Sequence, residues 1–537
     1  MESIGMLSGI AKKLPIQVSS NTACGIFCAA IMIFFNYSFW QQTIAAYPLN
    51  YSNLPFIISL TIYIFSLQYA ALMLVNFKYT LKPFMISVLV IAGVSAYAMD
   101  AYGHIISSLS YQSLFATDYN EAKGLINYKL FLYVLFLIIS PTLAILTCKF
   151  NYPSYKRNVV YFIIAILIIF INLSIFSKDY MSFVRNYKNI HYLLNPVRPL
   201  YVLVKFTFKQ FQHKKNIVFN ILDAHPIKTA TAEQPRLIVL VVGESDRAVN
   251  HSLNGYHRTT NPLLSARKDI YSFKQFYSCG TETSVSVPCM FSSFKREEFD
   301  NHKGLYTENV LDILQKSHVE VLWRDNDGGC KGVCDRITTE DFNNATILPF
   351  CQNNECHDEV LLYQLQNVIA QNTQDKLIIL HKKGNHGPAY YKRYPSQFAV
   401  FNPTCHSKNL GDCEGQEIIN TYDNIILYTD YFLDKLIVQL EQNADIYQTA
   451  MIYVSDHGES LGESGIYLHA MPYWIAPIEQ THIPFIFWAS TNFNIDRDRL
   501  NALQQQNFSH DNLFHSLLGL FKIQTIVYNS DLDIFAT

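Results

Sequence analysis

Two apolar runs in this 537-residue chain end in residues that bind hard and borderline metal ions. The run 236–243 (RLIVLVVG) leads straight into Glu244, and the run 450–454 leads through Ser455 into Asp456 and His457. Continuous apolar runs of this kind read as strands buried on both faces. In an open α/β sheet the site lies beyond the carboxyl ends of the strands. Glu, Asp and His about one ion suit zinc, and an open fourth position makes such a site catalytic rather than structural. Singly the residues say little. A Glu at a strand end is more often a capping or salt-bridged carboxylate, and Asp-His-Gly is a weak tripeptide. Their combination carries the reading.

The fourth position has a candidate in 279–289 (CGTETSVSVPC). Small hydroxyl residues follow a glycine and precede an apolar run, which is a helix start. A helix N-terminus stabilises an anion brought beside it. A Thr hydroxyl is a poor nucleophile until a base or metal activates it, and zinc does so by favouring the alkoxide. Spacing alone does not rank Thr281, Thr283, Ser284 and Ser286. The plainer alternative is an N-cap inside a disulfide loop.

These residues need a rigid sheet behind them. Besides 236–243 and 450–454, the runs 377–380 and 484–488 read as strands. Amphipathic stretches at 307–317, 358–371 and 420–442 alternate with them, which predicts an α/β sandwich with a largely parallel sheet. The rest of the chain is of another kind. Half of all residues are hydrophobic and 16% are charged, against about 25% charged in a soluble domain; disorder and a fully soluble chain are both excluded. A net charge of -2 gives no nucleic-acid footprint. Of 41 basic and 43 acidic side chains, only 13 lie in 1–176.

Five stretches near 22–40, 54–76, 82–100, 127–148 and 158–176 approach or exceed the about 20 residues that a helix needs to cross a bilayer. The first lacks an A-x-A-like site and is followed by four more, so it reads as a span rather than a cleaved signal. Lys12, Lys13, Lys78, Lys82, Lys149, Lys156 and Arg157 flank alternate connections, whereas 41–53 is uncharged and 101–126 holds only Asp118, Glu121 and Lys123. The basic side is cytoplasmic; the N-terminus is then inside, and an odd number of spans puts 177–537 outside.

Cysteine usage agrees. Cys24, Cys28 and Cys148 lie in the spans, and the other eight lie in the outer part. In an oxidising compartment these pair as nearest neighbours, Cys279–Cys289, Cys330–Cys334, Cys351–Cys356 and Cys405–Cys413. The rival, a zinc site from Cys330, Cys334, Cys351 and Cys356, fails where the thiols are oxidised. Three regions follow: a transmembrane region 1–176, a bridging segment 177–230, and a catalytic domain 231–537. The bridge carries Lys178, Arg185, Lys188, Arg198, Lys205, Lys209, Lys214 and Lys215 interleaved with Tyr and Phe, a composition suited to a membrane surface.

Seven motifs in order carry a family resemblance: VVGES-x-R at 241–247, SLNGYHRTTNP at 252–262, SCGTETSVSVPCMFS at 278–292, DNDGGCKGVCDR at 325–336, NHGPAYY at 385–391, VSDHGESLGE at 454–463 and YLHAMPY at 467–473. Together with five N-terminal spans, the chain resembles the lipid A phosphoethanolamine transferases, including the mobile colistin-resistance enzymes. The resemblance implies an alkaline phosphatase/sulfatase-like fold in the catalytic domain. It implies zinc held by Glu244, Thr283, Asp456 and His457, with Thr283 as nucleophile. It also implies a substrate headgroup, or a second zinc, at His386 and His469, and a role in substrate binding for Lys331. No C/S-x-P-x-R sulfatase signature occurs around 279–291, which counts against sulfate-ester chemistry. The family's Asn, Thr and Glu of the loop between spans three and four fall on Ser113, Thr117 and Glu121. Ser departs from the Asn, and its shorter reach puts lipid choice in question.

The implied reaction takes phosphoethanolamine from phosphatidylethanolamine onto Thr283 and passes it to a phosphate of lipid A. The implied location is the inner membrane of a Gram-negative cell, with the catalytic domain periplasmic. The added amine would weaken binding of cationic polymyxins. Three alternatives stand beside it: transfer to inner-core sugars of lipopolysaccharide, phosphoglycerol transfer, and a non-catalytic headgroup receptor. The last has no reason to keep a nucleophile beside zinc.

Overall fold

A computed structural model describes residues 17–116, 125–213, 218–229, 234–343, 345–352 and 355–536. Contacts divide the chain into two compact units, one from the described residues of Met1–Ile106 and Tyr128–Val204, the other from those of Ser107–Asn127 and Lys205–Thr537. One of the boundaries, between Val204 and Lys205, lies within 177–230.

The first unit is helical. Leu54–Leu74, Leu81–Tyr102, Tyr128–Thr147 and Tyr155–Ile175 are each long and apolar enough to cross a membrane. The expected first span is instead two helices, Ser20–Phe34 and Tyr37–Ala46, bent by 64°; counted as one span they make the fifth. Polar contacts hold the bend. Asn36 is buried and donates to Ile31 O at 3.0 Å and Asn195 O at 2.8 Å, while Asn195 N donates to Asn36 Oδ1 at 2.9 Å. Asp100 Oδ1 accepts from Ser38 N at 3.1 Å, satisfying a donor at the start of the second half.

Basic residues gather on one side of this unit. Lys82 Nζ donates to Cys148 O at 2.6 Å, and Gln17–Ser19 pairs with Lys149–Asn151. Lys12, Lys13, Asp118 and Lys123 lie outside the described residues, as do Lys214 and Lys215. Of the loop triad, Ser113 falls in the helix Ser108–Ala116, and Thr117 and Glu121 lie outside the described residues.

The second unit is built on a seven-stranded sheet: β1 Arg236–Gly243, β2 Ile270–Phe273, β3 Glu320–Asp325, β4 Thr338–Asp341, β5 Lys376–His381, β6 Gln448–Ser455 and β7 Phe485–Ala489, in the order β2-β7-β6-β1-β5-β3-β4. Neighbours from β6 to β4 are parallel; β7 pairs antiparallel with both β6 and β2. The four expected runs are the central strands β1, β5 and β6 together with β7. The edge strands β2 and β4 lack a long apolar run.

Along β1 every side chain is buried and successive ones face opposite layers. Ile238, Leu240 and Val242 pack with Val287, Met290 and Phe291, whereas Leu237, Val239 and Val241 pack with Phe432, Leu433 and Leu436. Helices therefore cover both faces, as the continuous apolar runs require. The stretch 420–442 lies in the helix Gly415–Glu441, and 307–317 contains the helix Val310–Lys316, which opens on a capping box at Asn309. The stretch 358–371 is not one helix. Gln364 at φ 53° separates the 3-10 turn Asp358–Leu362 from Leu365–Ile369.

Candidate active site

Register places the acids. β1 and β6 are adjacent and parallel with Gly243 opposite Ser455, so Glu244 and Asp456 leave the sheet at the same edge. Asp456 N donates to Gly243 O at 2.9 Å, closing that edge. Ser245 then turns at φ 54°. Gly458 follows His457 where a Cβ would sit 2.1 Å from Glu479 O, so no other residue fits there without moving the backbone. Glu244, Asp456 and His457 have no solvent-exposed surface.

The hydroxyl comes from the helix Thr283–Met290, whose first residue is Thr283. The Cys279–Cys289 disulfide closes the segment, and the other three expected pairs are formed as well. Thr283 Oγ1 donates to Glu244 Oε2 at 2.9 Å and lies 3.3 Å from His457 Nε2. The other three hydroxyls are committed elsewhere. Thr281 donates to Met471 O at 2.6 Å, Ser284 to Glu282 Oε1 at 2.8 Å, and Ser286 to Asp456 O at 2.5 Å. Geometry thus ranks what spacing could not.

Oxygen and nitrogen donors converge here. His457 Nδ1 donates to Gly458 O at 2.9 Å, which leaves the Nε2 lone pair facing inward, 3.3 Å from Asp456 Oδ2 and 3.6 Å from Glu244 Oε1. A backbone carbonyl on the far nitrogen is how metal-binding imidazoles are oriented. Asp456 Oδ2 is buried with no hydrogen-bond partner. Burial pushes both carboxyls above their ordinary range, with the neighbouring Asp456 adding to the effect on Glu244; burial pushes His457 down to about 4. Two buried carboxylates, a neutral imidazole and a hydroxyl fit a divalent cation, and the mixed oxygen and nitrogen set suits zinc.

His469 stands beside Glu244 and His457. Its ligand atom and those of Glu244 and His457 all lie within 4.8 Å of one another. Its ring is 4.4 Å from that of His457 and 6.1 Å from that of His386, which is half-buried. Burial alone would lower its pKa, but Glu459 outweighs burial and raises it to about 9. Burial, reinforced by His469, pushes His386 well down. Lys331 sits at φ 52° inside the Cys330–Cys334 loop and donates to Gly328 O at 3.2 Å.

Three contributors had not been singled out. Ser245 Oγ donates to Glu244 Oε1 at 2.7 Å and lies 3.3 Å from His469 Nδ1. Glu459 and Tyr390 back His469. All three sit inside motifs, but a Ser, Glu or Tyr next to a ligand carries no spacing signal of its own.

A family model described as Sulfatase matches residues 236–523, and one described as Phosphoethanolamine transferase EptA/EptB matches residues 64–211. Phosphatidylethanolamine transferase Mcr-2 of Escherichia coli is 37% identical over 503 residues, covering 91% of this chain and 92% of its own. Phosphoethanolamine transferase EptA of Escherichia coli (strain K12) is 36% identical over 542 residues, covering 98% of both. Among solved structures, the integral membrane protein lipooligosaccharide phosphoethanolamine transferase A (EptA) from Neisseria meningitidis superposes with a TM-score of 0.93 at 35% identity, over 97% of this chain and 99% of that one.

Proposed function

The chain belongs to the phosphoethanolamine transferase family, and from that premise we propose that it moves phosphoethanolamine from phosphatidylethanolamine to a phosphate of lipid A by way of Thr283. The observation that carries this reading is the isolation of one hydroxyl. Of four in the segment, Thr283 alone turns its oxygen to the buried Glu244 and His457.

Zinc, when held by Glu244, Thr283, Asp456 and His457, would lower the hydroxyl pKa and offer positive charge to phosphoryl oxygens. The protein does the rest. Glu244 Oε2 already accepts the Thr283 proton in a hydrogen bond of 2.9 Å. Thr283 Oγ1 then bonds to the donor phosphorus as the bond to the diacylglycerol oxygen breaks, and that oxygen takes up a proton. The start of the helix Thr283–Met290 sets the positive end of its dipole beside the phosphoryl group. His469 and His386 stand where they can donate to its oxygens. In the second half an oxygen of a lipid A phosphate bonds to phosphorus as the bond from phosphorus to Thr283 Oγ1 breaks, and Oγ1 takes up the proton that the acceptor phosphate gives up. The product carries an added amine, so the lipid surface is less negative and binds polymyxin or colistin less well.

Candidate spans in the first unit suit an enzyme whose two lipid substrates lie in a bilayer. The disulfides fit a periplasmic second unit on the inner membrane of a Gram-negative cell. Transfer to inner-core sugar is the second reading. The test is mass spectrometry of lipopolysaccharide from cells with the wild-type gene, with Thr283→Ala and without the gene, after lipid A and core have been separated. A phosphoethanolamine increment on the lipid A fragment in wild type alone is expected. An increment confined to the core moves the acceptor to the sugar, and no increment in any fragment refutes the reading.

A further inference from the structure

His469 is presented by an unusual piece of backbone. Ser460–Leu461 pairs antiparallel with Tyr467–Leu468, with Ser460 opposite Leu468. The next residues outward on the two arms are Glu459 and His469, so this small ladder brings them face to face. Leu468 and Ala470, on either side of His469, have φ of 63° and 69°, a region that L side chains with a Cβ rarely adopt. Ala470 N donates to Thr281 O at 2.7 Å, tying the turn to the segment that carries Thr283. Such a costly local geometry persists only where the surroundings enforce it.

Glu459 is fully buried and both its carboxylate oxygens are used. Oε2 lies 2.8 Å from His469 Nδ1, and Oε1 accepts from the Tyr390 hydroxyl at 2.5 Å. Its carbonyl accepts from Arg247 Nη1 at 3.1 Å. One side chain therefore joins three segments: Tyr390 from 385–391, Glu459 itself from 454–463, and His469 from 467–473. A carboxylate accepts only, so Nδ1 must carry a hydrogen, and Nε2 is the nitrogen that His469 has left to turn on a ligand.

We propose that Glu459, braced by Tyr390, is the positioning residue that holds Nδ1–H of His469 and fixes its ring orientation, with Nε2 turned to the phosphoryl group. This rests on the reaction proposed above. Glu459 acts through His469 and touches neither phosphorus nor Thr283. Removing partners of this kind costs about 10–100-fold in activity or metal affinity elsewhere. Gln in its place keeps the volume, but it cannot accept on both oxygens.

The test uses the full-length protein in phosphatidylethanolamine nanodiscs, as wild type, Glu459→Gln, Tyr390→Phe, His469→Gln and the Glu459→Gln/His469→Gln double variant. Diacylglycerol release reports the first half of the reaction. The 15N resonances of the His469 imidazole, assigned by their loss in His469→Gln, report the hydrogen bond at Nδ1 without turnover. Glu459→Gln is expected to lower kcat by about 10–100-fold, with zinc content and thermal midpoint retained, and to move the His469 resonances. Tyr390→Phe, which deletes one hydroxyl, is expected to shift both readouts in the same direction by less. In the His469→Gln background the Glu459→Gln change should cost less than twofold, since its only route of action is gone. Full additivity of the two changes, or His469 resonances unmoved by Glu459→Gln, overturns the proposal. If wild type releases no diacylglycerol, the reaction itself is refuted, while the resonances still decide whether Glu459 sets His469.

Discussion

Four hydroxyls within six residues differ in one respect, which is where their oxygen points. Thr281 is taken by Met471 O, Ser284 by Glu282 and Ser286 by Asp456 O, while Thr283 faces Glu244 and His457. Replacing Thr281 by Ala removes a hydrogen bond worth about 1 kcal/mol and should leave substantial transfer. Replacing Thr283 by Ala should give a folded protein whose transfer falls by several orders of magnitude, as losses of a nucleophile do. Thr283→Ser should retain measurable activity, and a phosphoethanolamine adduct trapped without acceptor should map to Thr283. Asp456→Ala should fail differently, by loss of bound zinc measured by elemental analysis, because it deletes the buried oxygen that has no protein partner. Transfer by Thr283→Ala, or an adduct on Thr281 or Ser284, would contradict this assignment. The gathering of Glu244, Asp456 and His457 at one sheet edge was readable from the sequence because strand ends in a parallel sheet mark that edge. The choice among hydroxyls was not, because it depends on how the helix start is rotated. Only the family resemblance pointed to Thr283 beforehand. Glu459 was hidden for a related reason: it meets His469 through a two-residue ladder, too short to leave a pattern.

At the scale of elements, legibility followed burial. β1, β5 and β6 are central, covered on both faces, and wrote themselves as unbroken apolar runs. The edge strand β4 has no fully buried residue and left no such mark. The expected single helix over 358–371 fails at Gln364, whose left-handed φ nothing in the local composition announces. The expected first span bends at Asn36, whose partner Asn195 is 159 residues away. Nearest-neighbour disulfides were readable because spacing and compartment sufficed. The pair Cys279–Cys289 closes the segment from which Thr283 starts its helix. Replacing both by Ala should lower stability by about 2–3 kcal/mol, seen as an earlier denaturant midpoint. It should lower kcat further than the same double replacement of Cys405 and Cys413, which close a loop ahead of the helix Gly415–Glu441. Equal effects of the two double variants on kcat would show that the first disulfide does not present the hydroxyl.

For the molecule as a whole the decisive quantity is the number of membrane crossings. Among the described residues, four continuous helices and one bent pair make five only if the bent pair crosses, and an odd count would put the N-terminus and the second unit on opposite sides of the membrane. The bend of 64° at Asn36 does not forbid crossing, since polar groups at a broken helix are tolerated where other protein satisfies them, as Asn195 and Asp100 do here. Basic side chains supply the sign. Lys82 and Lys149 share one side of the first unit with the connection that carries Lys78, and cytoplasmic connections are the ones enriched in Lys and Arg. Two exposed tyrosines make this measurable. Tyr51 precedes the helix Leu54–Leu74 and is 98% exposed, and Tyr79 follows it and is 80% exposed. A helix of 21 residues is about 30 Å long, so the two lie on opposite faces of a bilayer. With Cys148 replaced by Ser, the remaining free thiols Cys24 and Cys28 are buried. In that background a membrane-impermeant maleimide applied to intact spheroplasts should label Tyr51→Cys at once and Tyr79→Cys only after lysis. The reverse pattern would put the basic side outside and the disulfide-bearing unit in the cytosol. Labelling of both before lysis would mean that Leu54–Leu74 does not span.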